Sequence, residues 1–275
     1  MTFPIALAKA QRREAIRISK LQLFFAALRF CVIFSLLPFS ADAAKAQTSN
    51  ALSDAEIQGR QLAQQLCEAR PAENFTNTGV LQIRSGNGNR TNLTFHSQVT
   101  ITEKGWQNFY QVTLKTKPVP DSFSVEVSHS EDRPNKYILT DSGAGLGVTV
   151  KNTEAFIPFA NSDFWLADLG LEFFHWPAQK ILPKTAILKR GREYTLLESI
   201  NPNPATNGYS RVRSWIDKEA GGILEAEAYD AAGKLLKEFE PKSFKKVNGQ
   251  WELQEMEIRN VQTGSRTRLE FDLKK

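Results

Sequence analysis

The chain has 275 residues, 41% of them apolar and 24% charged, with a formal net charge of +5 and two cysteines. That balance belongs to a globular protein long enough to bury a substantial core, and it excludes a disordered, fibrous or disulfide-built chain. The positive charge is concentrated at the start. Without the first 43 residues, 29 basic and 28 acidic side chains leave +1, so the remainder has no electrostatic footprint for nucleic acid.

Lys9, Arg12, Arg13, Arg17 and Lys20 precede the apolar run "LQLFFAALRFCVIFSLLPFS". Arg29 interrupts it, which leaves Phe30 to Leu37 as a clean apolar core of the length of a secretory h-region. A bilayer span needs about 20 apolar residues, so this one is too short to cross. Small residues at the −3 and −1 spacing follow, as Ala41-Asp42-Ala43 or Ala44-Lys45-Ala46. The expectation is a cleaved signal peptide over residues 1–43, with cleavage as late as 46, and one exported domain over 44–275. Cys31 follows Leu28-Arg29-Phe30, where a lipidation signal wants small residues. Cys67 is the one cysteine of the mature chain, so no intrachain disulfide is available.

Ser53 with Glu56 three residues on is a capping box for a first helix. Ala55, Leu62, Ala63, Leu66 and Ala69 recur at helical spacing, and Pro71 follows its end. Cys67, four residues from Ala63, reads as a small buried side chain. The period then changes from 3.6 to 2. Runs beginning with "GVLQIRS", "TNLTFHSQVTITEK", "WQNFYQVTLKTKP", "SFSVEVSHS", "KYILTD" and "GVTVKN" are divided by short Gly, Pro and Asp turns. After residue 190 come "REYTLLESI", "YSRVRSWID", "GILEAEAYD", "KLLKEFEPKSFKKV", "QWELQEMEIRNV" and "SRTRLEFDL". Consecutive strands of this kind predict a mainly β, single-domain fold: one large, highly curved antiparallel sheet or barrel.

Between the two blocks lies "FANSDFWLADLGLEFFHWP", residues 159–177. Asn161 or Ser162 can cap a helix that runs to about His175 and stops at Pro177. On a wheel, Phe164, Ala167, Leu171 and Phe174 form one apolar face; Trp165, Leu169, Phe173 and Trp176 form another. Asp168, Glu172 and His175 are left as a narrow polar stripe. Such a helix is expected inside the curve of the sheet, buried on more than one side.

The polar stripe is also the best candidate for chemistry. Apolar surroundings would raise a carboxylate pKa, so Asp168 and Glu172 could serve as an acid/base pair. Glu172-x-x-His175 is half of a carboxylate-bridged dimetal motif, but that site needs two such pairs on a helix bundle. His96, His129 and His175 stand apart in sequence, so no zinc constellation is encoded locally and no metal or cofactor is expected. The bland alternative is a solvent-facing or hydrogen-bonded seam on an otherwise buried helix. "DSGAGLG" (141–147) lacks the spacing of a phosphate loop and reads as a hairpin turn. The Asn-x-Thr sites at Asn74, Asn89 and Asn92 read as polar turn and strand residues. A strongly curved sheet must fill its concave face, and a filling that is incomplete or able to swing leaves a cavity suited to acyl chains.

Three groups of residues carry a family resemblance: Ser162-Asp163-Phe164 with Asp168-Leu169, the Trp215-Ile216-Asp217-Lys218 turn, and the Tyr229-Asp230…Gly233-Lys234 hairpin. With the N-terminal helix leading into "TGVLQIR", the chain resembles the outer membrane lipoprotein-sorting family, LolA/LolB-like. It looks closest to an uncharacterised branch typified by a spirochaetal lipoprotein. The resemblance runs over nearly all of residues 53–273. It implies an incomplete antiparallel β-barrel of about 11 strands with helices packed in the concave face, located in the periplasm of a Gram-negative-type envelope. It further implies a non-enzymatic carrier that binds acyl chains of lipoproteins or other lipids, and that exchanges them with inner-membrane donor and outer-membrane acceptor proteins. Phe164, Trp165, Leu169, Phe173 and Trp176 are the expected cargo-binding residues. The alternatives are an envelope protein-interaction or stress-sensing module of the same fold and, behind both, an envelope hydrolase using Asp168 or Glu172.

Overall fold

The computed structural model describes residues 52–114, 121–130, 133–141, 147–184, 186–247 and 250–273, so the leader segment and most of the glycine-rich loop lie outside the described residues. The first element among the described residues is helix α1 (Asp54–Glu68), and the expected capping box forms. The Ser53 amide donates to the Glu56 carboxylate at 2.8 Å, and the Glu56 amide donates back to the Ser53 hydroxyl at 3.4 Å. Gly59 and Ala63 are buried on one face, with Leu62, Leu66 and Cys67 half-buried beside them.

A first meander follows: β1 (Phe75–Arg84), β2 (Arg90–Thr102), β3 (Gly105–Leu114), β4 (Asp121–Ser130), β5 (Lys136–Asp141) and β6 (Gly147–Val150). A second is formed by β7 (Ala178–Leu182), β8 (Tyr194–Ile200), β9 (Tyr209–Asp217), β10 (Ile223–Asp230), β11 (Leu235–Val247), β12 (Gln250–Asn260) and β13 (Arg266–Phe271). The two join where β1 pairs with β13 in antiparallel register, Leu81 opposite Leu269. The result is one 13-stranded sheet in the order β6-β5-β4-β3-β2-β1-β13-β12-β11-β10-β9-β8-β7. It is open, with β6 and β7 as its edges, and a twisted sheet of this width has to curl. All twelve runs read from the sequence correspond to strands. The thirteenth, β7, was not expected, because "AQKIL" is short and follows a proline.

Alternation places one face of the sheet inside. Leu81, Phe95, Val99, Tyr110, Val125, Val127, Tyr137, Met256 and Leu269 are all buried. Most of them share a single core with Phe159, Phe164, Leu166, Leu169, Phe173 and Phe174 from the segment between β6 and β7. That segment, residues 151–177, lies on the inner face, and α1 packs against β7, β8 and the turn at Glu172–His175.

The segment corrects the expectation of a helix over 161–176. It contains a 3-10 turn at Phe159–Asn161, extended backbone at Ser162 and Trp165, one turn of α-helix, α2 (Leu166–Leu169), and a second 3-10 turn at Glu172–His175. Ala160, Asn161 and Leu171 have φ of 51°, 60° and 50°, so the backbone leaves the right-handed region on both sides of α2. An aromatic helix apolar on most of its circumference needs neighbours all round, whereas here one sheet supplies most of them. Breaking the helix lets Phe159, Phe164, Leu166, Phe173 and Phe174 all reach that sheet. Gly170 marks the tightest point: a Cβ there would sit 2.2 Å from the Tyr137 hydroxyl.

Gly59 sets the approach of α1 to the edge strand β7, because a Cβ at this position would lie 2.5 Å from the Lys180 amide nitrogen. Alanine is the better helix former by about 1 kcal/mol. The clash is with backbone, though, and overpacking of this kind costs about 1–3 kcal/mol. Gly59→Ala is therefore expected to lower the Tm, while Gln58→Ala on the exposed face of the same helix leaves it within about a degree or raises it. Thermal unfolding of both variants checks this; a stabilised Gly59→Ala protein would show that α1 does not dock at this distance.

Candidate functional site

The candidate site is the inner face together with the segment that fills it. The sequence binds the two through four polar anchors, each built from a sheet side chain that reaches a group on the segment.

At the centre, Asp163 sits over β13. Its amide donates to the Thr267 hydroxyl at 2.8 Å, and that hydroxyl donates to the Asp163 carboxylate at 2.9 Å. Ser265 donates to the other carboxylate oxygen. Beside it lies Lys237 of β11, only 2% exposed. Its ammonium donates to the Asp163 carbonyl at 2.6 Å and faces the Asp168 carboxylate at 3.4 Å. It also stands 3.4 Å from the centre of the Trp165 ring, a cation–π contact. Trp165 stacks on Tyr209 of β9 at 4.6 Å, and the Tyr209 hydroxyl donates to both Asp168 oxygens at 2.9 and 3.1 Å. Asp168 also accepts the Trp165 amide at 2.8 Å, which caps α2. Burial pushes the Lys237 ammonium down to about 8, against the pull of Asp168 and Asp163.

The other two anchors are near the edges. Glu172, 4% exposed, accepts from the Tyr137 hydroxyl of β5 at 2.8 Å, from Asn152 at 2.9 Å and from Asn135 at 3.1 Å. Asn135 also donates to the Gly170 carbonyl at 2.7 Å. Burial raises the Glu172 pKa above the usual 4.5 although all three hydrogen bonds oppose it. On the opposite side, Gln179 of β7 donates to the carbonyls of Phe173 and Trp176, both at 2.9 Å, and accepts from Ser199 of β8 at 2.7 Å.

A small apolar cavity of about 40 Å³ remains between segment and sheet. Phe164, Leu171 and Phe173 line it from the segment; Tyr209, Val212, Phe239 and Lys237 are among the residues that line it from the strands. Of the residues expected to bind cargo, Phe164 and Phe173 reach this cavity. Trp165 covers Lys237 instead, Leu169 is buried beside it in the core, and Trp176 is half-buried, its ring 6.4 Å from that of Phe173.

The polar stripe of the sequence reading does not survive as a stripe. Asp168 and Glu172 turn into separate clusters with different partners, and each is saturated with donors. His175 is half-buried and burial lowers its pKa. His129, stacked on Trp106 at 4.7 Å, is held down to about 3 by burial and by the neighbouring His175. Among the described residues no group of three or more His, Cys, Asp or Glu could hold a metal ion. Burial pushes the Cys67 thiol up to about 12, so it is not a reactive nucleophile. Sequence reasoning missed Lys237, Tyr209, Tyr137, Asn135 and Gln179. One signal was available: in Lys237-Glu238-Phe239 the alternation puts a lysine in phase with a core phenylalanine.

Two expectations follow. Lys237→Met strips Asp168 of its cation and is expected to cost about 3–5 kcal/mol in urea unfolding. Adding Asp168→Asn should recover part of that loss, with a coupling above about 1 kcal/mol; additivity within about 0.5 kcal/mol would show the pair to be energetically idle. For Glu172 the raised pKa means the folded state keeps a proton that the unfolded chain loses above about 4.5. Its contribution is thus full below pH 4.5 and declines as pH rises through the raised value. Glu172→Gln should lack this decline, so the wild-type stability minus that of the variant falls from pH 4.5 to 7. A difference that is flat or rises across that range contradicts the assignment.

A family model described as "Uncharacterized protein" matches residues 150–274. A comparison with curated proteins finds no match. Solved structures are more informative. A domain described as outer membrane lipoprotein-sorting, from Vibrio parahaemolyticus, superposes with a TM-score of 0.65 at 20% identity, over 79% of this chain and 92% of that one. A DUF1329 family protein from Desulfovibrio piger gives 0.62 at 17% identity, over 80% and 92%. A LolA superfamily protein from Nitrosomonas europaea gives 0.55 at 11% identity, over 80% and 93%. At these identities the likeness is one of architecture. The open 13-stranded sheet with its filled inner face is a LolA-like fold.

Proposed function

We propose that the protein is an exported carrier whose inner face takes up acyl chains of lipoproteins or other lipids in place of part of its own crossing segment. The observation that carries this reading is the nature of the filling. An apolar face of a 13-stranded sheet is covered by a connection that forms no strand in it and is held by discrete side-chain anchors. The structurally similar domain from Vibrio parahaemolyticus, described as lipoprotein-sorting, supports the same reading.

The present cavity, about 40 Å³, holds about one water and no acyl chain, so loading requires the segment to yield. The driving force is adequate: burial contributes about 0.8 kcal/mol per methylene, or on the order of 11 kcal/mol for about 14 methylenes. Phe164, Trp165, Leu169, Phe173 and Trp176 are the segment residues that cargo would displace or pack against. The donor and acceptor would be envelope proteins on the two membranes. Among the described residues no helix is long and apolar enough to cross a membrane. Residues 1–43 are the proposed export signal, and the periplasm the proposed location.

Protein expressed from the full-length gene and recovered from the envelope should yield acyl lipids on organic extraction and mass spectrometry, and should bind a fluorescent fatty-acid probe. Its intact mass should correspond to a chain starting at Ala44 or Gln47. Absence of both co-purifying lipid and probe binding would end the carrier reading.

A further inference from the structure

The central anchor says something about the cargo. Lys237 and Tyr209 belong to strands β11 and β9, so they stay with the sheet. Every group that satisfies Lys237 belongs to the crossing segment, apart from a more distant contact with the Tyr209 ring at 5.3 Å: the Asp163 carbonyl, the Asp168 carboxylate and the Trp165 ring. If the segment yields, one movement removes all three. The strand walls left in the cavity are Val212, Ala226, Phe239 and Ile258, whose side chains have no acceptor, and Tyr209, which offers only a neutral hydroxyl. An unpartnered ammonium in such a wall is costly, and an alkyl chain alone does nothing for it.

We propose that the cargo is an amphiphile with an anionic head, a carboxylate or phosphate, and that this head replaces the Asp168 carboxylate on Lys237 and Tyr209. The inference rests on the carrier reading above and narrows it. Asp168 already shows that a carboxylate fits the position, with the Tyr209 hydroxyl 2.9 and 3.1 Å from its oxygens and the Lys237 ammonium at 3.4 Å. The tail would then run along the apolar strands that Phe164 and Phe173 now cover. The crossing segment thereby acts as an internal stand-in for cargo, with Asp168 as its head and the aromatic residues as its tail.

The test is a competition at pH 7 between a bound fluorescent acyl probe and three ligands of equal chain length: hexadecanoate, palmitoyl lysophosphatidate and hexadecanol. One to two charge-assisted hydrogen bonds correspond to about ten-fold or more, so the anionic ligands should bind at least about ten-fold tighter than the alcohol. A preference for hexadecanoate identifies a fatty acid, and one for the lysophosphatidate a phospholipid-type head. Lys237→Met should bring acid and alcohol to within about two-fold of each other. Tyr209→Phe, which removes only a hydroxyl, should reduce the preference by several-fold and serves if the first variant does not fold. Equal binding of acid and alcohol by the wild type overturns the anionic head while leaving the carrier intact. Failure of all three ligands and of the probe overturns both.

Discussion

The structure depends on one topological constraint. Two antiparallel meanders are joined at their outer strands, β1 with β13, so the last strand of the first and the first strand of the second end up at opposite edges of a single sheet. The connection from β6 to β7 therefore links the two edges, and it does so by looping over the inner face: Asn152 at its start donates to Glu172 near its end at 2.9 Å. There it completes the core and pairs part of its backbone with itself, the Phe159 amide with the Phe164 carbonyl at 2.7 Å and the Ala167 amide with the Ala155 carbonyl at 2.8 Å. Buried backbone groups without partners are costly, so the groups this internal pairing leaves over are met by side chains. Asn135 takes the Gly170 carbonyl, Lys237 the Asp163 carbonyl, Gln179 those of Phe173 and Trp176, and Thr267 the Asp163 amide. The polar residues of the inner face are there because the crossing is there.

This explains why two ionisable groups are tolerated in an aromatic core. Glu172 and Lys237 are each shifted toward their neutral forms by burial, so neither is a net source of stability in its charged state. What they add is position. Each is tied to at least three partners, and removal of one partner leaves the others buried and unmatched. The aromatic side chains supply the free energy, and the anchors select one arrangement of a segment whose apolar residues could pack in several.

The strands were legible because alternation is a local property. The run containing Leu93, Phe95 and Val99 read as a strand from the sequence, and these three side chains are buried in the sheet. The helix α1 was legible through its capping box, which is equally local. The crossing segment was not. Its apolar spacing fits a wheel, yet the neighbours that a helix apolar all round would need are set by sheet order, which no window of sequence contains. The residues that hold it come from β5, β7, β9, β11 and β13, separated from it by up to about a hundred positions. Lys237 was missed as well, although a lysine in phase with Phe239 is a local anomaly. The same alternation that identified the strand marks it as out of place.

The four anchors are not equivalent with respect to release. Asn135, next to β5, and Gln179, on the edge strand β7, are buried neutral amides, and water that replaced their bonds as the segment lifted would cost little. Lys237 is on β11, four strands in from the β7 edge, with apolar neighbours on the same face. Its partners cannot be replaced by water without wetting the surface that cargo would occupy. Edge anchors can thus open first and at low cost, while the central ammonium resists until another acceptor arrives. On the carrier reading proposed above, this would keep the segment down in an empty protein, and a suitable ligand would make the exchange of one carboxylate for another the step on which opening turns.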